Sequence, residues 1–264
     1  MNKKIALIGC GIMGQIFFEV LYGMKNFEKL YVIEQDSNKI KSLRKKFSKN
    51  VIFSSDMKDI ICCDVVILAV KPQDFKNFKL SLKNTTLIIS IMAGISTKEI
   101  AKILKVKKII RAMPNMPARI KKGVIGYFAN KNVSAQEKMF AQKLFSKMGL
   151  ALPVSSEKEV DMITAVSGSG PAYVFYMIDC LIKSANSIGL KGDMAKNIVI
   201  ETFKGSLALV DKNTDFSKLI KNVASKGGTT EAALKEFNKS KTEKIWQKAV
   251  FSAYKRAEQL SKFK

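Results

Sequence analysis

The chain has 264 residues, of which 47% are hydrophobic and 26% are charged. This composition excludes a disordered chain and suits one large domain or two modest ones. The absence of histidine excludes a histidine general base, a Ser-His-Asp system and every histidine-containing metal site. The cysteines (Cys10, Cys62, Cys63 and Cys180) form no C-x-x-C pair, so we predict no metal site, no disulfide framework and a cytoplasmic location.

The net charge of +24 comes almost entirely from lysine, because only four of the 46 basic residues are arginine. A nucleic-acid reader normally relies on arginine to contact phosphates and base edges. The lysines are spread along the whole chain, which favours nonspecific attraction of anions. Apolar stretches such as 65–70 and 172–178 are too short to span a bilayer. We therefore expect neither a specific nucleic acid nor a membrane as a partner.

The first half of the chain alternates strand-like and helix-like segments. Strands are predicted at 4–8, 30–33, 51–53, 65–70, 87–91, 108–111, 124–128 and 151–154, and helices at 12–24, 38–47, 97–104 and 135–148. This alternation, with fully apolar runs such as 65–70, is typical of a doubly wound, mainly parallel sheet. We predict an α/β dinucleotide-binding Rossmann domain over residues 1–155.

The second half shows helical periodicity only. Helices are predicted at 157–166, 171–188, 193–211, 215–223, 229–238 and 240–262. The helix over 171–188 is apolar nearly all round, which is typical of a helix with a partner on each side. We predict an all-α domain over residues 156–264 that forms an obligate homodimer.

A glycine fingerprint follows the first predicted strand. Gly9-Cys10-Gly11-Ile12-Met13-Gly14 is a G-x-G-x-x-G segment that opens a helix, the context in which it binds dinucleotides. Gly9 permits a tight turn, Gly11 lets the backbone approach a pyrophosphate, and Gly14 lets the helix pack closely. We predict that Ile8 and the next six residues bind a cofactor. A glycine-rich turn that binds nothing is the alternative.

Glu34 lies 20 residues after Gly14, at the end of the second predicted strand. An acid there accepts hydrogen bonds from the ribose 2′-hydroxyl of NAD and repels the 2′-phosphate of NADP. The position therefore favours NADH. A strand-end carboxylate that balances nearby lysines is the alternative.

Three further strand ends belong to the edge where open parallel sheets bind ligands. Ala69-Val70-Lys71-Pro72 follows the fourth strand, Ile91-Met92-Ala93-Gly94 the fifth, and Met113-Pro114-Asn115 the sixth. Small and kinked residues at all three ends suit a nicotinamide that lies across them. Each segment alone is also compatible with an ordinary loop.

A second candidate site lies in the helical half. Ser225-Lys226-Gly227-Gly228-Thr229-Thr230 combines two glycines and three hydroxyls at the start of a predicted helix. Backbone N–H groups there suit a small anion such as a carboxylate. A helix cap that uses one of the hydroxyl side chains fits the spacing equally well.

Five segments together carry a resemblance to a known family. They are IGCGIMG (8–14), AVKPQ (69–73), RAMPNMPA (111–118), SGSGPAYVF (167–175) and VASKGGTTEAAL (223–234). In this order, over essentially the whole chain, they make the sequence resemble the pyrroline-5-carboxylate reductases of proline biosynthesis.

The resemblance implies a Rossmann domain and a helical dimerisation domain, in a dimer or a larger assembly. It implies reduction of (S)-1-pyrroline-5-carboxylate to L-proline by NADPH or NADH. It places the pyrophosphate on residues 9–14 and the nicotinamide along residues 69–72 and 91–93, with Asn222 also reaching the cofactor. The implied substrate-binding residues are Ser225, Gly227, Gly228, Thr229 and Thr230, and Thr230 is the implied catalytic residue.

Two positions depart from the family pattern. Position 226 is Lys226 where the family segment usually has proline, which removes a rigid turn and adds a cation near an anionic substrate. Position 56 is Asp56 where family members often carry asparagine beside the adenosine ribose. Asp56 and Glu34 together put two acids near the expected 2′ position, which strengthens the preference for NADH.

Other functions fit parts of the sequence. The β-hydroxyacid dehydrogenases resemble one another in a G-x-x-x-N-x-x-K segment, which residues 167–190 lack. A reductase of another cyclic imine carboxylate, and a dinucleotide-binding protein without catalysis, remain the alternatives.

Overall fold

The computed structural model describes residues 3–25, 27–47, 50–76, 78 and 80–262. It divides into two compact units, one formed by Met1–Ser169 with Ala253–Lys264 and the other by Gly170–Ser252. This division differs from the predicted boundary near residue 155. The reason is that the first helix after that point packs on the sheet of the first unit, where its Asp161 binds Arg111 of a strand.

The first unit is built on an eight-stranded sheet. Its strands are β1 (Lys3–Ile8), β2 (Phe27–Ile33), β3 (Val51–Ser54), β4 (Val65–Leu68), β5 (Leu87–Ser90), β6 (Lys108–Met113), β7 (Gly123–Ala129) and β8 (Gly149–Pro153). The spatial order is β3-β2-β1-β4-β5-β6-β7-β8, and among these neighbours β6 and β7 alone run antiparallel. The predicted doubly wound, mainly parallel sheet is confirmed.

Helices cover both faces of this sheet. They are α1 (Ile12–Met24), α2 (Ser37–Lys46), α3 (Pro72–Phe75), α4 (Thr97–Leu104), α5 (Ala135–Ser146) and α6 (Glu157–Ile163), with 3-10 turns at Met57–Ile60 and Met116–Ile120. Successive residues of β1 alternate between two cores, since Leu7 packs with α1 and α5 while Ala6 and Ile8 pack with α4. The neighbouring strands β4 and β5 are likewise buried along their whole length.

The predicted helix over 157–166 changes geometry before it ends. The α-helical part stops at Ile163, and Thr164–Gly168 form a π-helical turn closed by the Ser169 N–H, which donates to the Thr164 carbonyl at 2.9 Å. Such turns insert an extra residue into a helix, and apolar periodicity does not reveal them.

The second unit is all-helical, as predicted. Its helices are α7 (Gly170–Ser187), α8 (Gly192–Ala208), α9 (Phe216–Val223), α10 (Thr229–Lys239) and α11 (Thr242–Lys262), the last of which ends in the first unit. Helices α7 and α8 pack together through small residues such as Ala185, Ala195 and Val199. Many larger apolar side chains of this unit remain exposed.

One helical run, Glu157–Ser187, is long and apolar enough by length and composition to cross a membrane, and 6% of its apolar window is buried. The uninterrupted apolar stretches within this run are short, so the sequence alone predicts no membrane span. The run is longer because α6, the π-helical turn and α7 follow one another directly. An exposed apolar surface of this kind marks either a protein–protein or a membrane contact.

The start of α5 offers a test of the fold. The Ser134 hydroxyl accepts the Glu137 N–H, and the Glu137 carboxylate accepts the Ser134 N–H in return, which is a complete capping box. We expect Ser134→Ala to lower the free energy of unfolding by about 1 kcal/mol in urea titrations. The control is Ser146→Ala in the last turn of the same helix, which should change it by less than about 0.5 kcal/mol. Equal effects of the two variants would contradict the capping assignment.

Candidate functional site

The glycine fingerprint forms a tight turn between β1 and α1. Gly9 has φ +90°, and a Cβ on Gly9 would lie 2.6 Å from the Ala69 carbonyl oxygen. A Cβ on Gly14 would lie 2.2 Å from the Gly9 carbonyl oxygen. Both positions therefore require glycine, and the helix starts directly against the ends of β1 and β4.

The amino end of α1 suits a diphosphate. Its N-cap residue is Gly11, which has no side chain to cap the helix, and Ile12 at the first helical position is exposed. Uncapped N–H groups with the helix dipole behind them favour an anion. The side chains of Ile8 and Cys10 are buried, so these two residues offer only backbone groups to a ligand. Burial, with the Glu34 carboxylate second, raises the pKa of the Cys10 thiol to about 11.

Glu34 fastens the glycine turn to the end of β2. Its Oε2 accepts the Cys10 N–H at 2.9 Å, and its Oε1 accepts the N–H groups of Gln35 and Asp36 at 2.8 and 3.1 Å. Burial favours a higher pKa for Glu34, but these backbone hydrogen bonds, together with the charge of Lys39, hold the pKa below its ordinary value. The carboxylate is thus ionised and largely engaged within the protein.

The other charged side chains near the ends of β2 and β3 also have partners within the protein. The Lys39 Nζ lies 3.9 Å from the Glu34 Oε2 and 3.9 Å from an Asp36 oxygen. Asp56 follows β3, and its Oδ1 accepts the Lys58 N–H at 2.8 Å. The carboxylates that the sequence predicts beside the adenosine ribose therefore also organise local backbone. Contact of either one with a cofactor stays a prediction.

Hydrogen bonds align three of the predicted strand ends. The Ala69 N–H donates to the Ile8 carbonyl at 2.8 Å, and the Ile91 N–H donates to the Leu68 carbonyl at 3.1 Å. The predicted cofactor residues after β1, β4 and β5 therefore lie side by side. Lys71 is exposed at the start of α3, and Pro72 occupies the first turn of that helix.

Met92 lies in the same row of strand ends but is buried in the core beside α4. It therefore offers only its backbone. Its neighbours Val70, Ile91 and Ala93 are half-buried, so their side chains reach the surface of this edge.

Asn115 joins two of the five resembling segments. Its Nδ2 donates to the Ser167 carbonyl at 3.1 Å and to the Ser167 hydroxyl at 3.0 Å, while its Oδ1 accepts the Val124 N–H at 2.9 Å. Sequence reasoning assigned Asn115 to the cofactor and missed Ser167. The side-chain amide already holds the π-helical turn, so a cofactor contact by this side chain stays a prediction.

The candidate substrate loop lies between α9 and α10 of the second unit. Asn222 and Ser225 are exposed, and the Gly228 N–H donates to the Ser225 carbonyl at 3.0 Å. The N-cap residue of α10 is Gly228, which has no side chain and therefore does not cap the first-turn N–H groups of Thr229 and Thr230. The N-cap position, which the spacing left open to a hydroxyl side chain, is occupied by this glycine.

A carboxylate that the sequence analysis missed belongs to the same loop. The Gly227 N–H donates to the Glu231 Oε2 at 2.6 Å, and Lys235 lies 3.4 Å from the same carboxylate. The spacing of Gly227 and Glu231, four residues apart, was the available signal. Within the part of the chain that the structure describes, no group of three or more acidic or cysteine side chains is able to hold a metal ion.

Two protein-family models match parts of this chain. Residues 157–260 match the family model for pyrroline-5-carboxylate reductase dimerisation. Residues 4–94 match the model described as NADP oxidoreductase, coenzyme F420-dependent. The glycine turn, the uncapped helix and these matches define an NAD(P)-dependent oxidoreductase.

Relatives that align over nearly the whole chain identify the family within this class of oxidoreductases. The chain is 34% identical to the pyrroline-5-carboxylate reductase of Haemophilus influenzae over 98% of both chains, and 34% identical to that of Synechocystis over 99% of this chain and 100% of the other. The crystal structure of a Plasmodium falciparum pyrroline carboxylate reductase with NADP bound matches with a TM-score of 0.83, 27% identity and 98% coverage of both chains. The chain belongs to the pyrroline-5-carboxylate reductase family.

The lowered pKa of Glu34 predicts a pH dependence of stability. A carboxyl group whose pKa is lower in the folded state stabilises the fold above its unfolded pKa and loses this contribution as the pH falls through its folded pKa. We expect Glu34→Gln to destabilise the protein near pH 7 and to approach the wild type as the pH falls towards 3. Urea unfolding at a series of pH values measures this difference. Glu28→Gln, at an exposed position of β2, should give a smaller difference, and a Glu34→Gln effect that does not change with pH would contradict the assignment.

Proposed function

We propose that this protein reduces (S)-1-pyrroline-5-carboxylate to L-proline with hydride from NAD(P)H, the final step of proline biosynthesis. The observation that carries the proposal is the full-length match, in which the dinucleotide-binding part and the helical part both align with reductases of one family. The site adds support, since the glycine turn suits a dinucleotide and the loop before α10 suits a small carboxylate.

The residues present fit the cofactor. The cradle at Gly9 and Gly14 and the uncapped start of α1 suit the pyrophosphate, and the aligned strand ends at Ala69 and Ile91 suit the nicotinamide side. When bound, reduced nicotinamide supplies a hydride. We assign Asn115 and Asn222 as further candidates for the cofactor site. Asn115 would act through the π-helical turn to which its side chain is hydrogen-bonded.

Thr230 has the proposed catalytic role. The cyclic imine accepts a proton on nitrogen from solvent, and the hydride adds to the imine carbon while the π electrons of the C=N bond become the lone pair of the amine. Thr230 donates or relays a hydrogen bond to this nitrogen. The first-turn N–H groups of α10 and the hydroxyls of Ser225 and Thr229 anchor the substrate carboxylate. Because little acid–base chemistry is needed, positioning dominates catalysis and supplies up to roughly 7–11 kcal/mol.

The preference for NADH is the finer part of the proposal. Glu34 is ionised and lies at the end of β2, and Asp56 follows β3, so negative charge gathers where a 2′-phosphate would lie. Lys39 offsets part of this charge at 3.9 Å from Glu34.

We also propose that the functional form is a homodimer or a dimer-based assembly in the cytoplasm. Tyr176 is 68% exposed and Phe175 is 54% exposed on α7, within the segment that matches the dimerisation model. Large exposed aromatic residues in a helical unit are typical of a subunit interface. The four free cysteines suit a reducing compartment.

Turnover and the role of Thr230 are tested together. Purified protein should oxidise NADH or NADPH when pyrroline-5-carboxylate is added. We expect Thr230→Ala to lower kcat by about 10²-fold or more while the Kd for NADH changes by less than about threefold. The control Thr242→Ala, outside the proposed site, should retain turnover. A parallel loss of NADH binding would contradict the role of Thr230. A folded protein that binds NADH but turns over no pyrroline-5-carboxylate would instead favour another cyclic imine or a binding-only protein.

Cofactor preference is tested at the acidic edge. We expect the ratio of kcat/KM for NADH to that for NADPH to exceed one and to fall by about tenfold in Glu34→Gln, because a charge next to the 2′ position is removed. Asp56→Asn should lower the same ratio by a smaller factor. The control Asp59→Asn on the neighbouring 3-10 turn should leave it unchanged. A ratio that is insensitive to Glu34 would show that this residue serves only the glycine turn.

The assembly is tested on α7. Sedimentation equilibrium should give at least twice the mass of one chain. Tyr176→Glu should shift the protein to a single chain, because a buried interface does not tolerate an unpaired charge. Lys138→Glu, on an exposed turn of α5, should leave the mass unchanged. A wild-type protein that is monomeric at all concentrations would contradict the proposal.

A further inference from the structure

We propose that the carboxyl end of α11 and a buried ionic cluster form a brace that fixes the loop after β5, residues 91–96. The brace consists of Arg111, Glu157, Asp161, Leu260 and Ser261. These are positioning residues for hydride transfer. The inference rests on the proposed function, which assigns residues 91–93 to the nicotinamide side.

The middle of the loop touches α11 directly. Gly94 has φ +71°, and a Cβ on Gly94 would lie 2.3 Å from the Leu260 Cβ and 2.7 Å from the Leu260 carbonyl carbon. On either side, Met92 and Ile95 are buried in the core beside α4. The loop is therefore enclosed between the core and the last turns of α11, without room for a side chain at position 94.

The far end of the loop is bound by a carboxylate. Thr97 begins α4, and its N–H and hydroxyl donate to the two oxygens of Glu157 at 3.0 and 2.7 Å. A carboxylate at a helix amino end is favoured by the helix dipole as well as by these hydrogen bonds. Glu157 itself begins α6, so the position of α6 sets where the loop ends.

Arg111 on β6 holds α6 in place. It is 1% exposed, its Nη2 lies 2.5 Å from the Asp161 Oδ1, and its Nη1 lies 3.4 Å from the Glu157 Oε2. A planar guanidinium can donate in two directions at once, which suits two carboxylates one helical turn apart. The interior strand β6 thereby orients both carboxylates.

Ser261 completes the brace. Its hydroxyl lies 3.4 Å from the Asp161 Oδ2 and 3.1 Å from the Ala257 carbonyl oxygen, so its single proton is shared between these two acceptors. The residue beside it, Leu260, is the one in contact with Gly94. The end of α11 is thus bound to α6 through Ser261 and to the loop through Leu260.

This arrangement predicts a particular kinetic signature. The glycine turn at residues 9–14 is the proposed site of the pyrophosphate, and the brace does not include it. A displaced loop would therefore move the nicotinamide without releasing the cofactor. Misplacement of about 1 Å costs about 10²-fold in rate for a positioned reaction.

The first test is Gly94→Ala, which places a methyl group against Leu260. The matched control is Gly192→Ala, which has a comparable φ of +59° but nothing within 4 Å of its Cβ. We expect Gly94→Ala to lower kcat by about 10- to 100-fold, to raise the deuterium isotope effect with 4-deuterated NADH, and to change the Kd for NADH by less than about threefold. Gly192→Ala should retain turnover and the isotope effect.

The second test shortens the chain after Gln259, which removes Leu260 and Ser261. We expect the same fall in kcat with retained NADH binding. In this shortened chain the added Gly94→Ala should cost at most a few-fold more, because its methyl group no longer meets Leu260. Equal costs of Gly94→Ala in the full and the shortened chain would overturn the brace. So would unchanged kcat and isotope effect in the shortened chain.

Hydrogen exchange separates failure of the brace from failure of the proposed function. Amides of residues 91–97 should exchange at least tenfold faster in the shortened chain than in the full chain, whether or not pyrroline-5-carboxylate is the substrate. Unchanged exchange would overturn the brace. Faster exchange in the shortened chain, together with no turnover of pyrroline-5-carboxylate by the full chain, would retain the brace and overturn the proposed reaction.

Discussion

The structure of the dinucleotide-binding unit depends on the close approach of α1 to the ends of β1 and β4. Gly9 lies so near the Ala69 carbonyl that no side chain fits, and Gly14 lies equally near Gly9. Glu34 adds a hydrogen bond from β2 to the same turn. Because this contact fixes where α1 begins, it also fixes where an anion can bind and how far the neighbouring strand ends lie from it.

The ends of β5 and β6 are organised by charge rather than by close backbone packing. Arg111, buried in the sheet, pairs with two carboxylates of α6, and one of these binds the start of α4. Breaking a buried pair of this kind typically costs 3–5 kcal/mol. The two features therefore have different roles. The glycine turn suits cofactor binding, and the ionic cluster around Arg111 shapes the loop that we assign to the nicotinamide.

Much of the fold followed from the sequence because periodicity and glycine spacing are local signals. The strands, α1 and the all-helical second unit are confirmed by the structure. The π-helical turn at Thr164–Gly168 was missed, since it keeps the apolar pattern of a helix. The bonds of Asn115 to Ser167 and of Arg111 to Asp161 span 52 and 50 positions, and spacing cannot reveal such contacts. The sequence predicted cofactor contacts for Glu34 and Asp56, but it could not show that backbone N–H groups also donate hydrogen bonds to their carboxylate oxygens.

The choice of arginine at position 111 is informative in a chain with so few arginines. Of its 46 basic residues only four are arginine, so nearly all positive side chains of the chain are lysine ammonium groups. Lysine ends in one compact ammonium on a flexible stem, whereas the guanidinium is a rigid plane with donors on separate edges. At Arg111 two acceptors must be reached from one buried point. In a lysine-rich protein, a buried arginine thus marks a place where shape, and not charge alone, decides which cation is tolerated.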